Sequence, residues 1–142
     1  MDLLLIVRDA LASSLVGSLT MAMSAREAGR RVGVLFTAEA LAALARGTFA
    51  WPRELSGQTM RLLMADRGPA LGLPLLSKGE GRQLDARALV ARAHGAGVEL
   101  YACPLWAALL DLEGRLPEGL RAIDRPGLVS LVQDAKRVVG SL

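Results

Sequence analysis

DLLLIVRDALASSLVGSLTMAMSAREAGRRVGVLFT, residues 2–37, is the stretch that decides the fold class. Asp2 to Arg8 is a nearly unbroken apolar run closed by the charged pair Arg8-Asp9, as expected of a strand covered on both faces in a parallel sheet. It is expected to be the central strand. From Ala10 to Ala28 the residues Leu11, Leu15, Leu19, Ala22, Met23 and Ala28 recur at helical spacing, and Gly29 supplies the stop. Arg31 to Thr37 (RVGVLFT) is again a short β-rich apolar run. Strand, long helix and strand make a βαβ unit, whose two strands run parallel.

Beyond that unit, Glu39 to Arg46 reads as a short helix ended by Gly47. Thr48 to Gln83 then loses clear periodicity and fills with glycine and proline. Within it Gly57 to Asp66 suits a helix and Leu71 to Leu76 a short strand, with Pro69 and Pro74 working against regularity. An irregular insertion of this kind serves as a lid or an oligomer contact. Regularity returns at Leu84 to Ala93, an amphipathic helix closed by Gly95 and Gly97, followed by the strand Val98 to Cys103. Pro104 suits the first turn of the next helix, to Leu112, because its missing N–H has no partner to lose there. Leu120 to Ile123 reads as a strand, Asp124 to Gly127 as a turn and Leu128 to Val139 as a closing amphipathic helix. The expectation is one α/β domain over residues 1–142, three-layered α/β/α, with a mostly parallel sheet of four to five strands.

Composition narrows the function. The 142 residues carry a formal charge of only +3, spread as single arginines and short pairs such as Arg30-Arg31, so no basic arm for nucleic acid is present. The apolar run Leu3 to Val7 follows Asp2 rather than a basic region and is far too short to span a bilayer, so a cytoplasmic protein without a membrane partner is expected. One cysteine and one histidine provide neither an internal disulfide nor a Cys/His zinc set, and no cofactor or metal is expected. The hydrophobic fraction of 52% hints at apolar surface buried between subunits.

In open parallel sheets ligands bind beyond the carboxyl ends of the strands. Arg8-Asp9-Ala10, Thr37-Ala38-Glu39 and Cys103-Pro104-Leu105 should meet there. Cys103 is read as the exposed tip of its strand, where helix-start N–H groups and a neighbouring Arg8 favour thiolate over thiol. A small buried hydrophobe suits the same position equally well. Arg8, Asp9, Thr37, Pro104 and Trp106 are the candidate pocket residues around Cys103. Asp9 and Glu39 also fit helix caps, Trp106 a core or interface residue, and His94 a helix C-terminal cation. Gly79-Glu80-Gly81 lacks the context of a phosphate loop, which argues against a nucleotide- or flavin-binding domain.

LLLIVRD, EAGRRVGVLFT, GAGVELYACPLWAALLDL and GLRAIDRPGLVSLVQDAKRV together resemble the DsrE/DsrF/TusD-type family of small sulfur-relay proteins, which includes the YchN-like proteins. The cysteine block is the most specific part. The resemblance implies a DsrE-like fold and a Cys103 that carries sulfane sulfur as a persulfide between donor and acceptor proteins or low-molecular-weight persulfides. It also implies a homotrimer or homohexamer. Thr48 to Gln83 and the bulky Leu105 and Trp106 after the cysteine depart from the family's pattern. The alternative reading is a non-catalytic oligomeric module that binds a small ligand or partner in the same edge pocket.

Overall fold

The computed structural model describes residues 1–74 and 84–140, and within them every strand pairing is parallel. Five strands, β1 (Leu3–Val7), β2 (Val32–Phe36), β3 (Glu99–Ala102), β4 (Leu120–Ala122) and β5 (Val138–Val139), lie in the order β4-β3-β2-β1-β5. The helices are α1 (Ala12–Glu27), α2 (Ala38–Arg46), α3 (Gln58–Arg67), α4 (Ala86–Gly95), α5 (Pro104–Leu109) and α6 (Arg125–Asp134). The βαβ unit of residues 2–37 is present as expected, with Leu3 beside Val32 and Val7 beside Phe36.

The centre of the sheet is β2, not β1. All five β2 residues are buried, whereas β1 is off-centre, with only β5 beyond it. Alternation along the strands then sorts two apolar layers. Leu5, Val7, Val34, Phe36 and Leu100 form the larger one, with Leu15 and Leu19 of α1, Leu41 of α2 and Leu89 of α4. Leu4, Leu35, Tyr101 and Cys103 form the smaller, against Leu128 and Leu131 of α6 and Trp106 of α5.

Handedness explains the division. From β1 to β4 the chain steps across the sheet in one direction, and right-handed crossovers place the intervening helices on one face. The step from β4 back to β5 reverses direction, so α6 lies on the other face. There it presents Leu128, Leu131 and Ala135 inward, while none of its residues is fully buried.

Two expectations are corrected. The helix expected over Leu128 to Val139 starts earlier and stops sooner. The Asp124 carboxylate accepts a 2.7 Å hydrogen bond from Gly127 N, so the residues read as a turn become the cap and first turn, with Pro126 harmlessly placed in it. Ala135 then leaves helical geometry, and the β-branched pair Val138-Val139 docks beside Leu4 and Leu5. The strand expected over Leu71 to Leu76 is not formed up to Pro74, where Pro69–Leu71 is a 3-10 turn and Gly72 is left-handed. Leu75, Leu76 and Gly79-Glu80-Gly81 lie outside the described residues. The helix expected over Gly57 to Asp66 is present as α3. The irregular segment begins anchored to the carboxyl end of β1: Ala12 N donates to Ala50 O at 2.8 Å and Ala50 N to Ala10 O at 3.1 Å.

Candidate functional site

Cys103 directly follows β3, at the carboxyl edge of the sheet. Its N–H donates to Phe36 O at 2.9 Å and its C=O accepts from Ala107 N at 2.8 Å, so it continues the β2–β3 ladder and starts α5 at once. Pro104 occupies the first turn as expected, but α5 is only six residues long. The side chain is not an exposed tip. Strand alternation turns it to the α6 face, where it packs with Leu4, Leu35 and Tyr101 beneath Trp106, Ile123 and Leu128, leaving 7% of the residue accessible.

The other candidate residues are dispersed along the edge. Arg8, exposed, follows β1, and β2 stands between it and Cys103, which separates the two backbones by about 10 Å at ordinary strand spacing. Its carbonyl accepts from Ala40 N at 3.0 Å, tying β1 to α2. Asp9 braces the entry to α1 without capping it: one carboxylate oxygen accepts from Leu11 N and the other from Ser14 Oγ, both at 3.0 Å, and no backbone N–H of the first turn is bonded by a capping side chain. Thr37 precedes α2, with its N–H on Val7 O at 3.1 Å and no capping bond from its hydroxyl. Glu39 lies exposed in the first turn of α2, where its charge suits the helix end. Trp106 is half-buried and packs against both apolar layers. His94 ends α4, with its ring against Gly119.

A concavity at this edge lies between the β3 and β4 loops. The chain leaves β3 toward one face through α5 and leaves β4 toward the other through α6, so β3 and β4 flank the topological switch point. A crevice of about 500 Å3 opens there between Pro104, Leu105 and Ala108 on one side and Ile123 and Arg125 on the other, with Glu113 on its rim. An adjoining recess of about 120 Å3 is lined by Ala102, Ala107, Leu116 and Ile123. Pro104 and Ile123 link the crevice to the cysteine: Pro104 follows it in the chain, and Ile123 packs in its layer. Glu113, Ile123 and Arg125 were invisible as site residues in the sequence. The terminal strand that could have flagged them was legible, but the face taken by α6 was not.

No family model matches the sequence, and no curated protein does. Among solved structures the chain is similar to the YchN protein from E. coli, with 14% identity over 99% of each chain and a TM-score of 0.61. The chain has a YchN-like fold. A conserved protein of unknown function from Bacteroides thetaiotaomicron is similar over 98% of this chain and 93% of its own, at 8% identity and a TM-score of 0.55. The YchN-like fold is the one that the likeness to the DsrE family implied; at these identities it fixes the architecture and not the chemistry. Among the described residues of this YchN-like chain, no helix is long and apolar enough to cross a membrane, and no group of three His, Cys, Asp or Glu is placed to hold a metal.

Proposed function

We propose that the protein is a DsrE/YchN-type sulfur carrier that holds sulfane sulfur as a persulfide on Cys103. The observation that carries this reading is the place of the cysteine: the chain's one thiol follows β3 at the carboxyl edge, next to the switch-point crevice. In the reaction the Cys103 thiolate attacks the terminal sulfur of a persulfide R–S–SH. The donor S–S bond breaks, R–S⁻ leaves with its electron pair, and Cys103–S–SH forms. An acceptor thiolate takes the terminal sulfur and returns Cys103 to its starting state. The apolar surroundings of the thiol suit a polarisable sulfur chain and keep water from it. Exposed Leu105, Leu109, Val129 and Val132 on α5 and α6 support a homo-oligomer, and the likeness to the DsrE family suggests a trimer or hexamer in the cytoplasm.

Burial of the thiol favours a second reading, in which the edge crevice binds a ligand or partner and Cys103 is only part of the wall behind it. Intact-mass spectrometry of the native protein after incubation with a persulfide donor, beside the Cys103→Ser variant, separates the two. A reducible gain of one sulfur atom on wild type alone supports the carrier. No gain on wild type, or an equal gain on Cys103→Ser, removes it and leaves the binding module.

A further inference from the structure

The crevice between β3 and β4 carries charges of both signs, the carboxylates of Glu113 and Asp124 and the guanidinium of Arg125. Glu113 follows α5 and Arg125 opens α6; both are exposed, both line the same opening, and they form no ion pair with each other. The third charged group at the rim, Asp124, is already engaged, its Oδ1 accepting from Gly127 N. Asp124 keeps its charge, so two carboxylates and one guanidinium stand on a rim over an apolar floor of Pro104, Leu105 and Ala108. Behind them the recess is walled by the apolar side chains of Ala102, Ala107, Leu116 and Ile123, and Glu113 lines it as well as the crevice.

We infer that this crevice binds a small zwitterion of the amino-acid type with an unbranched apolar side chain. The guanidinium takes the ligand carboxylate, for which its forked donors are matched, and the Glu113 carboxylate takes the ammonium. The apolar side chain enters the recess and leaves water there, while Glu113, the charged residue that lines it, is taken by the ammonium. A simple anion would satisfy Arg125 and meet Glu113 and Asp124 as repelling neighbours; a simple cation would satisfy the carboxylates and meet Arg125 as one. Only a ligand carrying both signs answers both groups. The placement at a topological switch point is where open parallel sheets bind ligands. The inference goes beyond the sulfur-carrier reading and does not depend on it, because neither rim residue is the cysteine and no covalent step is involved.

The probe is L-methionine, whose thioether does not react with a thiol, titrated into the full chain with amide chemical shifts as the readout. Saturable shifts are expected at Leu105, Ala108, Ile123 and Arg125. Binding should weaken on the order of tenfold in Arg125→Ala and in Glu113→Gln, each losing one charge-assisted contact. Both residues are exposed, so both variants should keep the wild-type spectrum away from the crevice. The decarboxylated amine of methionine should bind wild type and Arg125→Ala equally weakly, since it lacks the group that Arg125 holds. The inference is overturned by the absence of saturable shifts at these amides, by unchanged affinity in both variants, or by an amine that binds as tightly as methionine. Loading of Cys103 in the mass experiment is unaffected by any of these outcomes, so failure here and failure of the carrier reading are told apart.

Discussion

The Asp2 carboxylate holds Lys136 Nζ at 2.8 Å, joining residues 134 positions apart in the chain, and its other oxygen accepts from Arg31 N at 2.8 Å. The hydrogen bond from Lys136, with that from Arg31 N second, lowers the Asp2 carboxyl from its ordinary 3.8 to about 2. A group whose folded value is depressed stabilises the fold above its unfolded value and loses that contribution as pH falls through the folded one. The Asp2 contribution should therefore be complete above about pH 4 and fade toward about pH 2. Denaturant titrations at several pH values should show Asp2→Asn flattening this acid limb. An unchanged limb in the variant would assign the acid sensitivity to other carboxyls.

Tyr101 is the one tyrosine, which makes its titration directly visible by ultraviolet difference absorbance. Burial first, then the hydrogen bond that its hydroxyl donates to the Glu99 carboxylate, push it up from 10.0 to about 12. Here the folded state keeps its proton where the unfolded chain has lost it, so stability should fall as pH rises from about 10 to about 12. In Glu99→Gln the ionisation should move back toward the ordinary value. A native tyrosine that titrates near 10 in wild type would contradict the packing described for the second face.

Gly47 ends α2 with φ of +78°, and a Cβ there would lie 2.9 Å from the Arg87 guanidinium carbon. Gly47→Ala should cost about 1–2 kcal/mol from the left-handed backbone, and the Arg87 guanidinium, the end of a flexible exposed side chain, must also move and give up its 3.3 Å hydrogen bond to Ala45 O. Gly29 has the same backbone sign, φ of +79°, but nothing within 4 Å of its would-be Cβ. Urea midpoints should therefore rank Gly47→Ala below Gly29→Ala; equal midpoints would show that Arg87 yields without cost.

Cys103 should alkylate slowly in the native state and at the rate of a free thiol once unfolded, because it is buried beneath α6. Leu128→Ala trims the α6 side of that cover. Losing roughly half of a leucine's burial, about 1–1.5 kcal/mol, should speed alkylation on the order of tenfold if opening of α6 limits access. A rate unchanged by Leu128→Ala would mean that the reagent reaches the thiol by another route.

Much of this architecture is legible in the sequence because its signals are local. The continuous apolar runs of β1 and β2, the spacing of Leu15 and Leu19 on α1, and Pro104 opening α5 each specify their element within a short window. Val138-Val139 is not legible, since a two-residue strand inside an amphipathic tail reads as the end of a helix. Nor is the burial of Cys103. Its cover, Leu128 on α6, is 25 positions downstream by sequence number and reaches it only because the β4-to-β5 crossover reverses direction. Asp9 shows the same limit in small: its place at the functional edge was readable, but its engagement with Leu11 N and Ser14 Oγ depends on loop geometry.

The two residues of β5 also guard against self-association. Without them β1, whose sequence is LLLIV, would present an open row of N–H and C=O groups along the most apolar strand in the sheet, a ready template for another chain. Val138 and Val139 occupy that edge beside Leu4 and Leu5, and Arg137 O takes the Leu4 N–H at 2.9 Å. The charged pair Lys136-Arg137 just before them serves as a gatekeeper. The smallest strand of the fold thus protects the segment with the greatest capacity for amyloid-like stacking.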